Sequence, residues 1–170
     1  MVYNMAFAHI MCAKIIKRRN NVEKDIRNKV KDRLNSVRNL TSELTIQKDK
    51  YEEMSEALEQ IKSVHYSDYP STSKTNQDIM LTRLMRKENE YAKLIDISEQ
   101  LNKEKEQLTH YLKQLKNQRN YRVMWHRYIL LLSYKEIAER LDLQTQTIKN
   151  IINRSITELV EIEAGKPTSS

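Results

Sequence analysis

The sequence predicts an all-α protein in which a long antiparallel helical hairpin or coiled coil is followed by a small C-terminal helix-turn-helix domain. Three observations lead to this prediction. The chain of 170 residues contains one Gly and two Pro, the residues that most often interrupt helices. Apolar residues recur every seven positions through most of residues 21–118. From residue 119 onward this spacing stops, and shorter amphipathic segments follow.

Residues 21–62 contain two heptad series, which predict the a and d positions of a coiled coil. The first series consists of Val30, Val37, Leu44, Tyr51 and Leu58. The second consists of Ile26, Leu40, Met54 and Ile61, and it is interrupted by Arg33 and Gln47. At a rise of about 1.5 Å per residue, the segment forms a rod of about 60 Å that cannot bury its apolar stripe alone. A partner helix is therefore expected.

A loop is expected at residues 63–76, where Pro70 lies among Ser, Thr, Asp and Asn. The heptad pattern then resumes as far as residue 118. One series consists of Leu94, Leu101, Leu108 and Leu115, and the other of Leu84, Tyr91, Ser98, Lys105 and Leu112. Two rods of similar length joined by a loop favour an antiparallel hairpin. Pairing between two copies of the chain is the competing arrangement, and the polar seam residues do not decide between them.

Residues 1–20 are interpreted as a separate N-terminal extension, because Met1, Met5 and Met11 are alternative starts. Its apolar residues precede the basic cluster, the reverse of a signal peptide, and they are too few to span a bilayer. Cys12 is the single cysteine, and no Cys/His cluster has the spacing of metal ligands. A bacterial cytoplasm is therefore the expected location, with no membrane partner.

The net charge of +7 is unevenly distributed along the chain and favours a polyanionic partner. Residues 14–38 contain ten basic and three acidic residues, and residues 116–160 contain eight and four. Residues 39–115 contain 11 basic and 14 acidic residues. The basic stretch at 14–33 is expected to supply supplementary, sequence-independent contacts with DNA, and a solvated helix face is the alternative.

Residues 119–162 follow the pattern of a helix-turn-helix domain, ahead of a flexible tail at 163–170. The apolar run at 129–132 predicts the end of a first helix. Ser133, with Glu136 three positions on, forms a capping box that predicts the start of a second. The inner residues of the second helix and the turn are Ile137, Ala138, Leu141 and Leu143. The inner face of the third helix consists of Ile148, Ile151, Ile152, Ile156 and Leu159.

The outer face of the third helix contains no acidic residue. It consists of Thr145, Gln146, Thr147, Lys149, Asn150, Asn153 and Arg154. Because phosphates repel carboxylates whereas amides and hydroxyls pair with base edges, this composition predicts a face that binds DNA. Asn150 suits adenine, Lys149 suits guanine or phosphate, and Gln146 is a third candidate for a base contact. Phosphate contacts are expected from Asn153, Arg154 and Arg140.

The segments "SYKEIAERLDLQ" and "IKNI" resemble region four of bacterial primary sigma factors, and the preceding "VMWHRYILLLS" resembles the segment before it. The module is also similar to that of the RinA and ArpU group of late transcriptional activators of Gram-positive phages. This resemblance covers about 40 of the 170 residues. It implies a helix-turn-helix that binds promoter DNA, with RNA polymerase as a further partner. By position, it implies DNA contacts from Thr145, Thr147, Lys149 and Asn150.

Three features depart from the sigma-factor pattern. Asp142 stands where the turn usually has Gly, which is tolerated because Asp enters the left-handed region more readily than most residues. Gln144 replaces the usual Ser cap, which predicts a weaker helix start or one shifted to Thr145. Thr145 and Thr147 replace arginines, which argues against the same promoter specificity.

Together these features predict a phage-type transcriptional regulator, an activator of late genes, that binds double-stranded DNA through residues 145–159. A homodimer through the coiled coil is a further expectation. The alternatives are a phage terminase small subunit, which recognises DNA for packaging, and a structural coiled-coil adaptor.

No enzymatic activity, cofactor or metal is expected, because the sequence has no P-loop, GxSxG or HExxH motif. The histidines are scattered and lack acidic or cysteine companions at ligand spacing; they are His9, His65, His110 and His126. Trp125 and His126 are interpreted as packing residues of the small domain.

Overall fold

The computed structural model describes the backbone of residues 3–64 and 74–165, and the side chains of residues 21–59, 78 and 80–165. These residues form five helices: α1 (Tyr3–Val64), α2 (Lys74–Leu112), α3 (Gln118–Tyr128), α4 (Tyr134–Leu141) and α5 (Thr145–Glu163). All regular secondary structure in these ranges is α-helical, which confirms the predicted all-α class. Some predictions lie wholly or partly outside the described residues. They are the extension at 1–20, the loop at 63–76, the tail at 163–170, and the statements about His9, Cys12, Ile61 and His65.

Two compact units divide the described chain, and both long helices contribute to each. The helical-pair unit is Val37–Lys105, and the composite unit is Met1–Ser36 together with Glu106–Ser170. No helix among the described residues is both long enough and apolar enough to cross a membrane.

In the helical-pair unit, α1 and α2 contact each other through polar and aromatic side chains. The Gln47 amide is buried and donates hydrogen bonds to the Glu90 carboxylate and, over 3.4 Å, to the Glu90 carbonyl oxygen. The rings of Tyr51 and Tyr91 lie 5.6 Å apart between centroids, and Lys87 Nζ lies 5.3 Å from the Tyr51 centroid. Gln47 interrupts the predicted apolar series, and these contacts show how its polar group is satisfied.

The two predicted heptad series that follow the loop are buried to different degrees. Leu101, Leu108 and Leu115 are buried and Leu94 is half-buried, as predicted. The second series is buried only in part, because Leu84 and Tyr91 are exposed while Ser98 and Lys105 are half-buried. Its last member, Leu112, is buried. The larger apolar side chains one position earlier, Ile97 and Tyr111, are buried together with the first series.

The helix ends around residues 112–118 also differ from the prediction. α2 ends at Leu112, several residues before the predicted limit at 118, and the amides of Gln114 and Leu115 form turn hydrogen bonds of 3.2 and 3.1 Å. Asn117 then caps α3, because its side-chain oxygen accepts a hydrogen bond from the Arg119 amide at 2.8 Å. The buried Leu115 therefore belongs to a link between helices instead of a continuous rod.

The composite unit joins the first part of α1, the end of α2 and the last three helices. The helices α3, α4 and α5 pack on one another. Their fully buried apolar residues are Val123, Met124, Ile137, Ile148 and Leu159, and those of α1 and α2 are Val30, Leu34, Leu108 and Leu112. Leu34 belongs to neither predicted heptad series, so its burial is a feature that the spacing did not indicate.

Candidate nucleic-acid interface

The link between α3 and α4 is held by one arginine. α3 ends at Tyr128, as the apolar run predicted, and Leu131 has a left-handed backbone with φ 58°. Arg127 Nη1 donates a hydrogen bond of 2.8 Å to the Leu132 carbonyl, and its guanidinium carbon lies 4.5 Å from the centre of the Tyr134 ring. Arg127 thus connects α3 to the first residue of α4, a role that the sequence did not reveal.

α4 begins with the predicted capping box. Ser133 Oγ accepts from the Glu136 amide at 3.3 Å, and the Glu136 carboxylate accepts from the Ser133 amide at 2.7 Å. Each side chain satisfies an amide that has no partner inside the helix. The hydrogen bonds from Ser133 lower the pKa of Glu136, because they favour the ionised carboxylate.

The turn between α4 and α5 has the backbone that the sequence indicated. Asp142 is left-handed, with φ 51° and ψ 54°, and the amides of Asp142 and Leu143 both donate to the Ala138 carbonyl. Gln144 is extended and makes no side-chain cap, and α5 begins at Thr145. Leu143, the predicted apolar residue of the turn, is half-buried. The predicted weak cap at Gln144 is confirmed.

α5 separates its side chains between a buried and an exposed face. All five predicted inner residues, Ile148, Ile151, Ile152, Ile156 and Leu159, are buried. Thr147 is half-buried, and the exposed residues are Thr145, Gln146, Lys149, Asn150, Asn153 and Arg154. Residues three and four apart share a face of a helix, so Gln146, Lys149, Asn150 and Asn153 form one stripe. Arg140, near the end of α4, is exposed as well.

Two amides of this stripe are hydrogen-bonded to each other. Gln146 Nε2 donates to Asn150 Oδ1 over 3.2 Å. The Asn150 amide nitrogen and the second lone pair of Asn150 Oδ1 keep hydrogen-bonding capacity for another partner. A carboxamide that presents both a donor and an acceptor matches the major-groove edge of adenine.

Two carboxylates lie near the turn, that of Glu139 at the end of α4 and that of Asp142 in the turn itself. Glu139 and Asp142 line a shallow concavity together with Lys135, Leu143 and Thr145. These two acids limit the acid-free surface on the side of the turn. The exposed cations of α5, Lys149 and Arg154, lie further along the helix.

A second concavity brings α5 together with two other parts of the chain. Its lining residues are Arg27, Lys116, Asn153, Arg154, Thr157, Glu158 and Glu161. Arg27 and Lys116 were not among the predicted site residues. They are distant from α5 in the sequence, so no spacing pattern could have connected them to it.

His126 and Trp125 pack together within α3, as interpreted from the sequence. Their rings lie 5.5 Å apart in an edge-to-face arrangement. His126 Nδ1 is buried without a hydrogen-bond partner, and burial, assisted by the positive charge of Arg140, lowers the pKa of the imidazole. Among the described residues, no group of three or more His, Cys, Asp or Glu side chains is placed to hold a metal ion.

Comparison of the chain with known protein families, characterised proteins and solved structures finds no match. The function is therefore inferred from the residues of the site itself.

Proposed function

We propose that the protein is a sequence-specific double-stranded DNA-binding regulator of transcription, of the phage late-activator type. Its helices α4 and α5 act as a helix-turn-helix, and α5 enters the major groove. One observation carries this proposal: the side of α5 opposite its buried isoleucines is exposed and free of acidic residues from Thr145 to Arg154. RNA polymerase in a bacterial host cytoplasm is the expected second partner of an activator.

The dimensions and charge of α5 suit a major groove. A helix of about 10–12 Å diameter fits a major groove about 12 Å wide. From within the groove its side chains can reach the base edges. From Thr145 to Arg154 the exposed face of α5 carries Lys149 and Arg154 and no carboxylate to repel phosphates. The N-terminal end of a helix also favours anions, because its first amides lack partners inside the helix.

The chemistry of each side chain suggests its role. Asn150 pairs with adenine while Gln146 orients it, and Lys149 contacts guanine or a phosphate. Thr145 and Thr147 offer hydroxyl groups to bases or phosphates. Asn153, Arg154 and Arg140 contact phosphates, which position the helix without carrying sequence information.

The long helices have a separate role in this proposal. The contacts of Gln47 with Glu90, and of Tyr51 with Tyr91, support an antiparallel hairpin formed by α1 and α2. Exposed apolar residues recur on α2 at Leu81, Leu84, Met85, Tyr91 and Ile95. This stripe would pack against a second copy of the chain, and a dimer would present two α5 helices to two half-sites.

The assembly state separates this function from its alternatives. Sedimentation analysis is expected to give a dimer. An assembly of eight or more subunits would instead favour the DNA-packaging role of a terminase small subunit. If the chain binds no duplex DNA, the remaining alternative is a structural coiled-coil adaptor.

Selection of bound sequences from a random duplex library tests the DNA-binding proposal. Asn150→Ala is expected to relax the preference at one base-pair position by about 1–3 kcal/mol. Arg154→Ala is expected to weaken all sites alike and to reduce the slope of log K against log salt by about 0.9. The matched controls are Asn102→Ala and Lys103→Ala, exposed positions of α2. If neither substitution in α5 has its expected effect, the assignment of this face is wrong.

A further inference from the structure

Three segments that are distant in the sequence meet at one concavity of the composite unit. Arg27 comes from α1, Lys116 from the link between α2 and α3, and Asn153 and Arg154 from α5. All four side chains are exposed. Each carries a group that donates hydrogen bonds, and three of them are cations. Glu158 and Glu161 line the concavity as well, so it carries one net positive charge next to the face of α5 that is proposed to bind DNA.

Contacts close to the concavity fix the positions of these segments. The Arg33 guanidinium carbon lies 4.1 Å from the centre of the Tyr111 ring, and the Tyr111 hydroxyl donates to Glu163 over 3.4 Å. The Lys116 amide donates to Glu158 Oε1 at 2.9 Å. These contacts tie α1, α2 and the link to α5. Arg27 thus lies on a helix that packs in this unit, since Val30 and Leu34 further along it are buried.

The charges at the concavity suit a phosphate group. Within the described residues, neither Arg27 nor Arg154 forms a salt bridge. Glu158 already accepts a hydrogen bond through Oε1, while Glu161 lines the same concavity and opposes an anion. Guanidinium groups hold phosphate oxygens through paired, charge-assisted hydrogen bonds. An anion with several oxygens can be held by side chains from three segments at once.

We propose that this concavity binds a backbone phosphate of the duplex beside the groove that α5 enters. The inference rests on the proposed function, because Arg154 lies one helical turn beyond Asn150 and shares its exposed surface. It assigns Arg27 and Lys116 to the DNA-binding surface. It also specifies how the basic stretch at 14–33 contributes to DNA binding, namely through Arg27 on the packed part of α1.

The salt dependence of binding tests this site in the full-length chain. The double variant Arg27→Gln/Lys116→Gln is expected to bind more weakly, with the slope of log K against log salt reduced by about 0.9 for each lost contact. Its base preferences should equal those of the parent, because phosphate contacts carry no direct sequence information. The control Arg86→Gln/Lys103→Gln removes the same charges from exposed positions of α2 and should keep the parent slope.

Glu161→Gln gives a test in the opposite direction. Removing this carboxylate is expected to tighten binding about two- to threefold at low salt, since one repulsive charge near the phosphate is lost. A gain in affinity cannot come from unfolding. A parent slope retained by Arg27→Gln/Lys116→Gln would overturn the phosphate site, even if α5 still selects a sequence.

The two proposals fail in different ways. If the parent binds all duplexes alike while the double variant loses slope, the phosphate site stands and sequence-specific recognition by α5 is wrong. If the parent binds no duplex at all, both are overturned.

Discussion

Gln146 Nε2 donates a hydrogen bond of 3.2 Å to Asn150 Oδ1 on the exposed face of α5. The two residues lie one helical turn apart, where side chains of a helix meet. The bond restricts the rotamers of Asn150 before any partner arrives. Since immobilising a flexible side chain costs about 0.5–1.5 kcal/mol on binding, a pair ordered in advance lowers that cost.

Replacing Gln146 by glutamate tests both the pair and the absence of acids from the face. Gln146→Glu keeps the shape of the side chain but removes the amide donor and introduces a carboxylate. We expect at least about a tenfold loss of affinity for the selected duplex, because a carboxylate repels the nearby phosphates. Fluorescence anisotropy at low salt measures the affinity. Gln107→Glu makes the same charge change at an exposed position of α2. Equal losses in the two variants would contradict a local role.

The pKa of Glu136 makes the start of α4 sensitive to acid. Hydrogen bonds from Ser133 hold this pKa below its ordinary value of 4.5. The stabilisation from the ionised carboxylate is therefore complete above the unfolded-state pKa and is lost as the pH falls through the folded-state pKa. We expect Glu136→Gln to lower the Tm at pH 7, with a difference from the parent that shrinks below about pH 4.5. Circular dichroism melts at several pH values measure this.

A matched substitution controls for the loss of one carboxylate. Glu99→Gln removes an exposed carboxylate from α2. Its Tm at pH 7 should stay close to that of the parent. If Glu136→Gln behaves in the same way, the capping box does not contribute to stability as proposed.

The last helices were predictable because their signals are local. The capping box of Ser133 and Glu136 spans four residues, and the left-handed backbone of Asp142 matches what the sigma-factor resemblance implied, because that turn usually has Gly at this position. The buried isoleucines of α5 recur at the three- and four-residue spacing of a helix, which can be read directly from the sequence. Local chemistry of this kind does not depend on how distant segments pack.

The long helices and the second concavity were less predictable, because they depend on packing. Ser98 lies four positions after Leu94 and Ile97 lies three after it, and both spacings are compatible with a heptad seam. Only the burial of Ile97 in the folded chain decides between them. Arg27 and Arg154 line the same concavity because of tertiary contacts, and these cannot be read from the spacing of residues in the sequence.

The register of α2 leads to a stability prediction. Leu108 is fully buried, whereas Leu81 is 58% exposed. Leu108→Ala is expected to reduce the free energy of unfolding by about 2–5 kcal/mol, because it removes apolar contacts and leaves a cavity. Leu81→Ala, measured at a protein concentration below that of dimer formation, should cost less than about 1 kcal/mol, since within one chain a surface substitution leaves no cavity. Urea denaturation of both variants measures the difference. Similar losses at the two positions would mean that α2 buries a different face.

The raised pKa of Tyr111 probes the junction of α1, α2 and α5. Burial of the phenol, assisted by the negative charge of Glu163, raises this pKa to about 12, while Arg33 acts in the opposite direction. We expect Glu163→Gln to lower the pKa of Tyr111 and Arg33→Met to raise it. The absorbance change of tyrosine on titration, taken as the difference from the same variant carrying Tyr111→Phe, isolates this one group.

The same shift predicts how stability changes in alkaline solution. A folded-state pKa above the ordinary value of 10.0 means that the protonated phenol stabilises the fold below pH 10, and that this contribution is lost as the pH rises toward 12. The stability difference between the parent and Tyr111→Phe should therefore shrink from pH 10 upward. If Glu163→Gln and Arg33→Met move the pKa of Tyr111 in the same direction, the opposing charges at this junction are wrongly assigned.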